Sequence, residues 1–327
     1  MKKILVTGGA GFIGTVVTEI LSHDDNNLIH IVDDLSSGKN DDDFKKILLR
    51  KNIVFKKLDL SDARSYRKLN EEYDDVYHLA AVVGVSRVTK NPVLTLRVNT
   101  LSTIYLLDHL RKMKNKPKIL FASSCENYAG SVKHCRISFP TPEEIPLCIE
   151  DVYNPRWTYA CTKILGEMSC IFYAKEYGFD FTVIRYHNVF GPRMGTQHVI
   201  PQFILRVMDK PIEFEMHGGD QYRTFCYVTD AAKMTINLMN DPKANGLVVN
   251  VGNDHDYIKI SSLAKKIFSI MCVKPKLIEK GAPQGSVNRR RPDLSKIKSL
   301  GDFVQEVSYD EGLRKTIQWY TNNKIVF

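Results

Sequence analysis

The chain has 327 residues, 43% hydrophobic and 25% charged, with a formal net charge of +9, enough to bury a core as one large domain or two coupled ones. The apolar run ILV in MKKILVTGG stops at a glycine pair, and no stretch reaches the ~18 apolar residues of a membrane helix, so a soluble, cytoplasmic protein with no membrane partner is expected. Lysines and arginines alternate with acids and form no basic arm or nucleic-acid motif, which argues for a solvated cationic surface, or a site for small polyanions, over a nucleic-acid partner.

Residues 2–6 carry a buried-strand pattern, followed by the turn TGGAGFIG and by TVVTEILSHD, where Val16, Val17, Ile20 and Leu21 have helical spacing. LIHIVDDL reads as a second strand ending in Asp33 and Asp34. IVFKKLDL and VYHLAAV follow as strands, then a helical pattern from Asn91 to Lys114 with Leu94, Val98, Leu101 and Tyr105 on one side. KILFASS and FTVIRYHNV read as two more buried strands. Such alternation predicts βαβ units and an α/β fold, a Rossmann-type doubly wound parallel sheet. After His187 the rhythm breaks at Pro192, Pro201, Pro211 and Gly218-Gly219, although LVVNVG at 247–252 reads as a late strand able to rejoin the sheet. The expected organisation is a Rossmann domain over 1–187 with a return segment near 223–252, and a smaller C-terminal substrate-binding lobe from 188–222 and 253–327. The seven cysteines are odd in number and lack C-x-x-C spacing, so neither a disulfide framework nor a zinc site is indicated and no metal is expected. Free thiols in a reducing compartment are the expectation.

Gly8, Gly11 and Gly14 sit between the first strand and the first helix, and Asp33 ends the next strand about 20 residues on. Glycine permits close backbone approach to a pyrophosphate, whose charge the helix N-terminus meets. Asp33 suits a ribose 2′-hydroxyl and repels a 2′-phosphate, which favours NAD over NADP.

Tyr159 and Lys163, in NPRWTYACTK, fall at i and i+4 and share a helix face. A tyrosine with a pKa near 10 is no base at neutral pH, but a lysine ammonium and a positive nicotinamide nearby would favour the phenolate. Ser124, ending FASS, can hydrogen-bond the same substrate hydroxyl.

The order TGGAGFIG, DLSD (59–62), HLAA (78–81), Asn99, Ser123-Ser124, Tyr159-x-x-x-Lys163 and RYHNVFGPR (185–193) resembles the extended short-chain dehydrogenases/reductases, within them the nucleotide-sugar epimerases, dehydratases and decarboxylases. The motifs run from Thr7 to Asp293. The resemblance implies an NAD cofactor, a nucleotide-sugar substrate and a homodimer formed by helices near 91–114 and 158–176, in which Leu101, Tyr105, Ile164, Met168 and Phe172 exceed one buried face. It places Phe12, Ile13, Asn99, Ser123 and Tyr186 at the cofactor, with Asp59 and Leu60 flanking the adenine and Leu79, Ala80 and Ala81 lining the path to the nicotinamide ribose. Asn188, Arg223 and Arg290 fall where such enzymes grip the diphosphate, and Arg223 also lies near the reacting carbons.

The implied first step is oxidation of a sugar C4 hydroxyl, with Tyr159 as base and Lys163 and Ser124 in support. The 4-keto sugar is then re-reduced on the other face, loses water, or loses a C6 carboxylate. Similar dehydratases carry Asp-Glu where this chain has Cys125-Glu126, and a thiol is a poor acid for a leaving hydroxyl, which demotes dehydration. Similar decarboxylases carry Ser-Glu there, so Glu126 fits and Cys125, a candidate substrate contact, departs. An Arg shortly before the tyrosine also resembles UDP-glucuronate decarboxylases: Arg156 would add charge for an acidic sugar and Trp157 an apolar wall, unless Arg156 pairs with Glu150 or Asp151. A 4-epimerase remains the alternative, and a non-catalytic NAD sensor the reading from outside enzymes. His187 reads as a packed strand residue.

Overall fold

The structure, a computed structural model, describes the chain apart from residues 38–40, 70, 136, 210, 283–285, 302 and 324–327. Its first part runs Lys2–Thr7 (β1), Phe12–Leu21 (α1), Asn27–Asp33 (β2), Asp42–Leu48 (α2), Ile53–Lys57 (β3), Asp75–His78 (β4), Val85–Lys90 (α3), Pro92–Leu110 (α4), Lys118–Ser124 (β5), Ala129–His134 (α5), Trp157–Tyr177 (α6) and Phe181–Tyr186 (β6). Then come Val189–Phe190 (β7), Val199–Met208 (α7), Glu213–His217 (β8), Tyr222–Arg223 (β9), Cys226–Tyr227 (β10), Val228–Asn240 (α8), Leu247–Val251 (β11), Ile258–Lys259 (β12), Ile260–Ile270 (α9), Lys276–Lys280 (β13), Arg289–Arg290 (β14), Ser295–Leu300 (α10) and Tyr309–Asn322 (α11).

Seven parallel strands form the central sheet in the order β11-β6-β5-β4-β1-β2-β3. Helices cover both faces, so strands such as KILFASS are buried almost throughout. Chain order reverses between β1 and β4, and that switch point opens a crevice at the carboxyl ends of the strands. Leu247–Val251 pairs in register with β6 and completes the sheet. FTVIRYHNV makes two strands where one is expected, because Asn188 takes a left-handed φ of 41° and breaks the pleat between β6 and β7. The helix expected to reach Lys114 stops at Leu110, where the Lys116 ammonium caps the carbonyls of Arg111 and Met113.

The remaining sheets are small. In β12-β9-β14, parallel pairing sets Arg290 beside Arg223, so two cations distant in sequence become neighbours by register alone.

Candidate functional site

The crevice is built first by glycines. Gly8 has φ +72°, and a Cβ there would come 2.7 Å from the Ala80 backbone at the end of β4. At Gly14 it would meet the Gly8 carbonyl at 2.2 Å. Gly11 caps α1, whose first turn faces the opening. The cavity, about 440 Å³, is lined by the glycine loop with Phe12 and Ile13, by Asp33, Asp59 and Leu60 on one side, and by Leu79, Ala80 and Ala81 on the other. Ser123, Tyr159, Lys163 and Tyr186 close its far end.

Asp33 is buried, and its carboxylate accepts the amides of Ala10 at 3.1 Å and Leu35 at 2.8 Å. Burial pushes its pKa up against those bonds. Each oxygen keeps a lone pair for a ribose hydroxyl. A backbone cradle closed to Cβ atoms, a helix N-terminus and a fixed carboxylate fit a dinucleotide such as NAD, with the glycine loop and α1 at its pyrophosphate and Asp33 at its ribose.

Asn99 is the expected cofactor residue that does not line this cavity. Its amide accepts the Val82 N–H at 2.7 Å and donates to the Val82 carbonyl and to Thr162, fixing the loop after β4. Two contributors escaped the sequence reading. Arg193, at φ 67°, donates to the Ala10 and Gly11 carbonyls, to Thr15 and to Asp41 at 2.8 Å, so it fastens the glycine loop from across the chain. The segment Gly195–His198 also lines the cavity. Arg193 stands inside the motif RYHNVFGPR, a visible signal without a stated partner.

At the far end, Tyr159 and Lys163 occupy the first turns of α6, as their spacing implies. Burial raises the Tyr159 pKa far above its ordinary value, a hydrogen bond with Ser124 pulls it down, and Glu126 and Cys125 raise it. The help expected from Lys163 is not built into the protein alone: the ammonium donates to the Ala122 carbonyl at 2.7 Å and stands 5.8 Å from the centre of the Tyr159 ring. Burial lowers Lys163 to about 8, with Cys170 and Glu167 opposing. Ser123 and Asn127 both donate to Glu167, which is paired with Arg185 at 2.6 Å, so a buried network holds this end of β5 in place.

Beyond Tyr159 lies a cluster of charge. Glu126 forms a two-pronged pair with Arg290, at 2.7 and 2.8 Å. The Arg156 guanidinium is 4.0 Å from the same carboxylate. Burial pushes the Glu126 carboxyl up, but Arg290, then Arg156 and Arg223, bring it to about 2. Arg223 donates to the carbonyls of Tyr222, Val287 and Asn288 and to the Gln221 side chain, and among the described residues it forms no ion pair with a carboxylate. Three guanidinium groups thus face one carboxylate, and the Cys125 thiol lies 3.6 Å from Arg290. Asn188 uses its side-chain amide on the Thr224 carbonyl. His198 is a further neighbour of Glu126; burial lowers its pKa and Glu126 opposes.

The pairing of Arg156 with Glu150 or Asp151 does not occur. Glu150 holds Lys133 and His134, and Asp151 accepts the Tyr153 amide. Trp157 does not line the cofactor cavity; it is 4% exposed and packs with Ala129, Ala160 and Val287, locking the start of α6. His187 is packed against Asn250 at 3.0 Å, and burial lowers its pKa to about 3.

Residues 4–252 match the NAD dependent epimerase/dehydratase family. The chain belongs to that family. It is therefore an NAD-dependent enzyme of the extended short-chain dehydrogenase/reductase type. The family member UDP-N-acetyl-alpha-D-glucosaminuronate decarboxylase of Bacillus cytotoxicus is 33% identical over 98% of both chains. UDP-glucuronic acid decarboxylase 1 of Danio rerio is 30% identical, over 98% of this chain and 73% of the relative. Among solved structures, the UDP-glucose 4-epimerase of Thermotoga maritima, with UDP-glucose, superposes at a TM-score of 0.84 and 30% identity, covering 99% of this chain and 100% of that one. Among the described residues, no helix is long and apolar enough to cross a membrane, and no His, Cys, Asp and Glu group is disposed to hold a metal.

Proposed function

We propose that this chain decarboxylates a UDP-linked uronic acid through a 4-keto intermediate, in the cytoplasm. The supporting observation is the excess of guanidinium around Glu126, where Arg156, Arg223 and Arg290 outnumber the one carboxylate. A neutral sugar with a diphosphate leaves part of that charge unmatched, whereas a C6 carboxylate answers it. The likeness to two decarboxylases of UDP-linked acidic sugars agrees.

Bound NAD supplies a hydride acceptor and a positive charge in the cavity that Tyr159 lines. Tyr159, hydrogen-bonded to Ser124, takes the C4 hydroxyl proton. Lys163 stays charged below about pH 8 and holds the site positive. Once C4 is a ketone, the C5–C6 bond breaks, CO₂ leaves and its electron pair passes into a C4–C5 enolate, whose oxygen Tyr159 and Ser124 stabilise. Arg156 and Arg223 orient the carboxylate, and Glu126 governs protonation at C5.

A 4-epimerase is the second reading, favoured by the hold of Arg290 on Glu126, which can be purely structural, and by the likeness to the Thermotoga enzyme. We further propose a homodimer across α4 and α6. Met168 and Phe172 are 51% and 57% exposed, and Leu94 and Leu165 are exposed beside the half-buried Leu101, Tyr105 and Ile164. Incubation with UDP-glucuronate, UDP-N-acetylglucosaminuronate and UDP-glucose, followed by mass, tests the function: loss of CO₂ from an acidic sugar supports it, and a change of C4 configuration at constant mass supports epimerisation.

A further inference from the structure

Two segments lead to the charge cluster. The turn Cys125–Tyr128, which carries Glu126, runs directly into α5, and the segment through Cys148 and Glu150 leads to Arg156 and α6. They are fastened together by residues that do not line the cofactor cavity. Ser131 donates to the Pro146 carbonyl, and Lys133 and His134 both meet Glu150. A Cβ at Gly130 would come 2.2 Å from the Cys148 carbonyl, so the backbones lie flush there. Within this clasp the sulfurs of Cys135 and Cys148 stand 3.8 Å apart, both free and both partly exposed.

A disulfide needs its sulfurs at about 2.05 Å. Cys135 lies just past the last turn of α5 and Cys148 lies in a loop, so the approach falls on backbone outside regular structure. We propose that Cys135 and Cys148 form a thiol–disulfide redox site, taking a peroxide as oxidant, whose closure is transmitted to the spacing of Glu126 and Arg156. One cysteine attacks the peroxide as thiolate, forming a sulfenic acid and releasing water after proton uptake. The second sulfur then displaces a second water, so two thiols and one hydrogen peroxide give one disulfide and two waters. The neighbouring Cys148 sulfur pushes the Cys135 thiol pKa up. Of the other free thiols, Cys125, Cys170 and Cys226 are buried, and Cys161 and Cys272 are exposed.

The site itself does not depend on the proposed reaction; only its effect on turnover rests on the assignment of Glu126 and Arg156 to the sugar. The test uses the full chain with NAD bound, treated with hydrogen peroxide, alkylated and mapped by mass spectrometry, with turnover of the nucleotide sugar followed in parallel. A Cys135–Cys148 linked peptide is expected, with a several-fold change in KM that dithiothreitol reverses. Cys135→Ser and Cys148→Ser should keep the reduced enzyme's activity and lose the response. Oxidation of Cys161 and Cys272 with no linked peptide would overturn the site whatever the substrate proves to be. A linked peptide with unchanged KM would overturn the transmission.

Discussion

The two ends of the crevice are made differently. At the cofactor end, consecutive backbone groups of one loop and a carboxylate at the end of the next strand line the cavity, and a Cβ at Gly8 or Gly14 would collide with backbone at 2.7 or 2.2 Å. At the other end, proposed to take the sugar, Glu126, Arg156, Arg223 and Arg290 arrive from four separate parts of the chain and meet as charged side chains. One end is defined chiefly by backbone shape, the other by charged side chains. A scaffold shared by enzymes of different chemistry is expected to keep the first and vary the second.

The largest break in this contrast is at the junction. Tyr159→Phe should lower turnover about 10²–10⁴-fold, the usual weight of a general base, while NAD titration stays near wild type. Turnover within tenfold of wild type would remove Tyr159 from the reaction. At the cofactor end, Asp33→Ser should weaken NAD about 10–100-fold, as expected for loss of a hydrogen bond to a charged group, and should narrow the gap to NADP. Equal binding of the two cofactors by wild type would contradict the role given to Asp33. At the sugar end, Arg290→Lys keeps the charge but not the two-pronged pair with Glu126. A KM increase of about tenfold for the acidic sugar is expected, with NAD binding unchanged.

The smallest effect is on stability against pH, where the two ends have opposite signs. The Glu126 carboxyl is held at about 2 against an ordinary 4.5. Its pairing therefore contributes fully above pH 4.5 and is lost as pH falls towards 2. Burial raises Asp33 instead, so its ionisation opposes folding above its ordinary value of 3.8, and that opposition disappears as pH falls. In urea titrations across pH 2 to 5, Glu126→Gln should flatten the acid loss of stability and Asp33→Asn should steepen it. The same change of slope in both variants would refute the contrast.

The same difference governs what the sequence discloses. The parallel sheet, the glycine loop and Asp33 are legible because each depends on residues close together, with strand or helix periodicity. Tyr159 and Lys163 are legible as a pair, but the capture of the lysine by the Ala122 carbonyl belongs to packing between α6 and β5. Of the two roles open to Arg156, pairing with Glu150 gives way because Lys133 and His134 occupy that carboxylate, and Trp157 makes no wall of the site because neighbours contributed by α5 and the segment before β14 bury it. Asn99 and Arg193 carry the same lesson. Their side chains hold loops in position, through bonds to partners far along the chain.

The central claim is that the guanidinium-rich end holds a carboxylate whose carbon leaves as CO₂. UDP-glucuronate and UDP-N-acetylglucosaminuronate labelled with ¹³C at C6 test it directly, with released ¹³CO₂ and remaining nucleotide sugar measured together. Decarboxylation requires that one of them is consumed with one equivalent of ¹³CO₂ released for each molecule lost. Conversion of these sugars to C4 epimers with the label fully retained would contradict it.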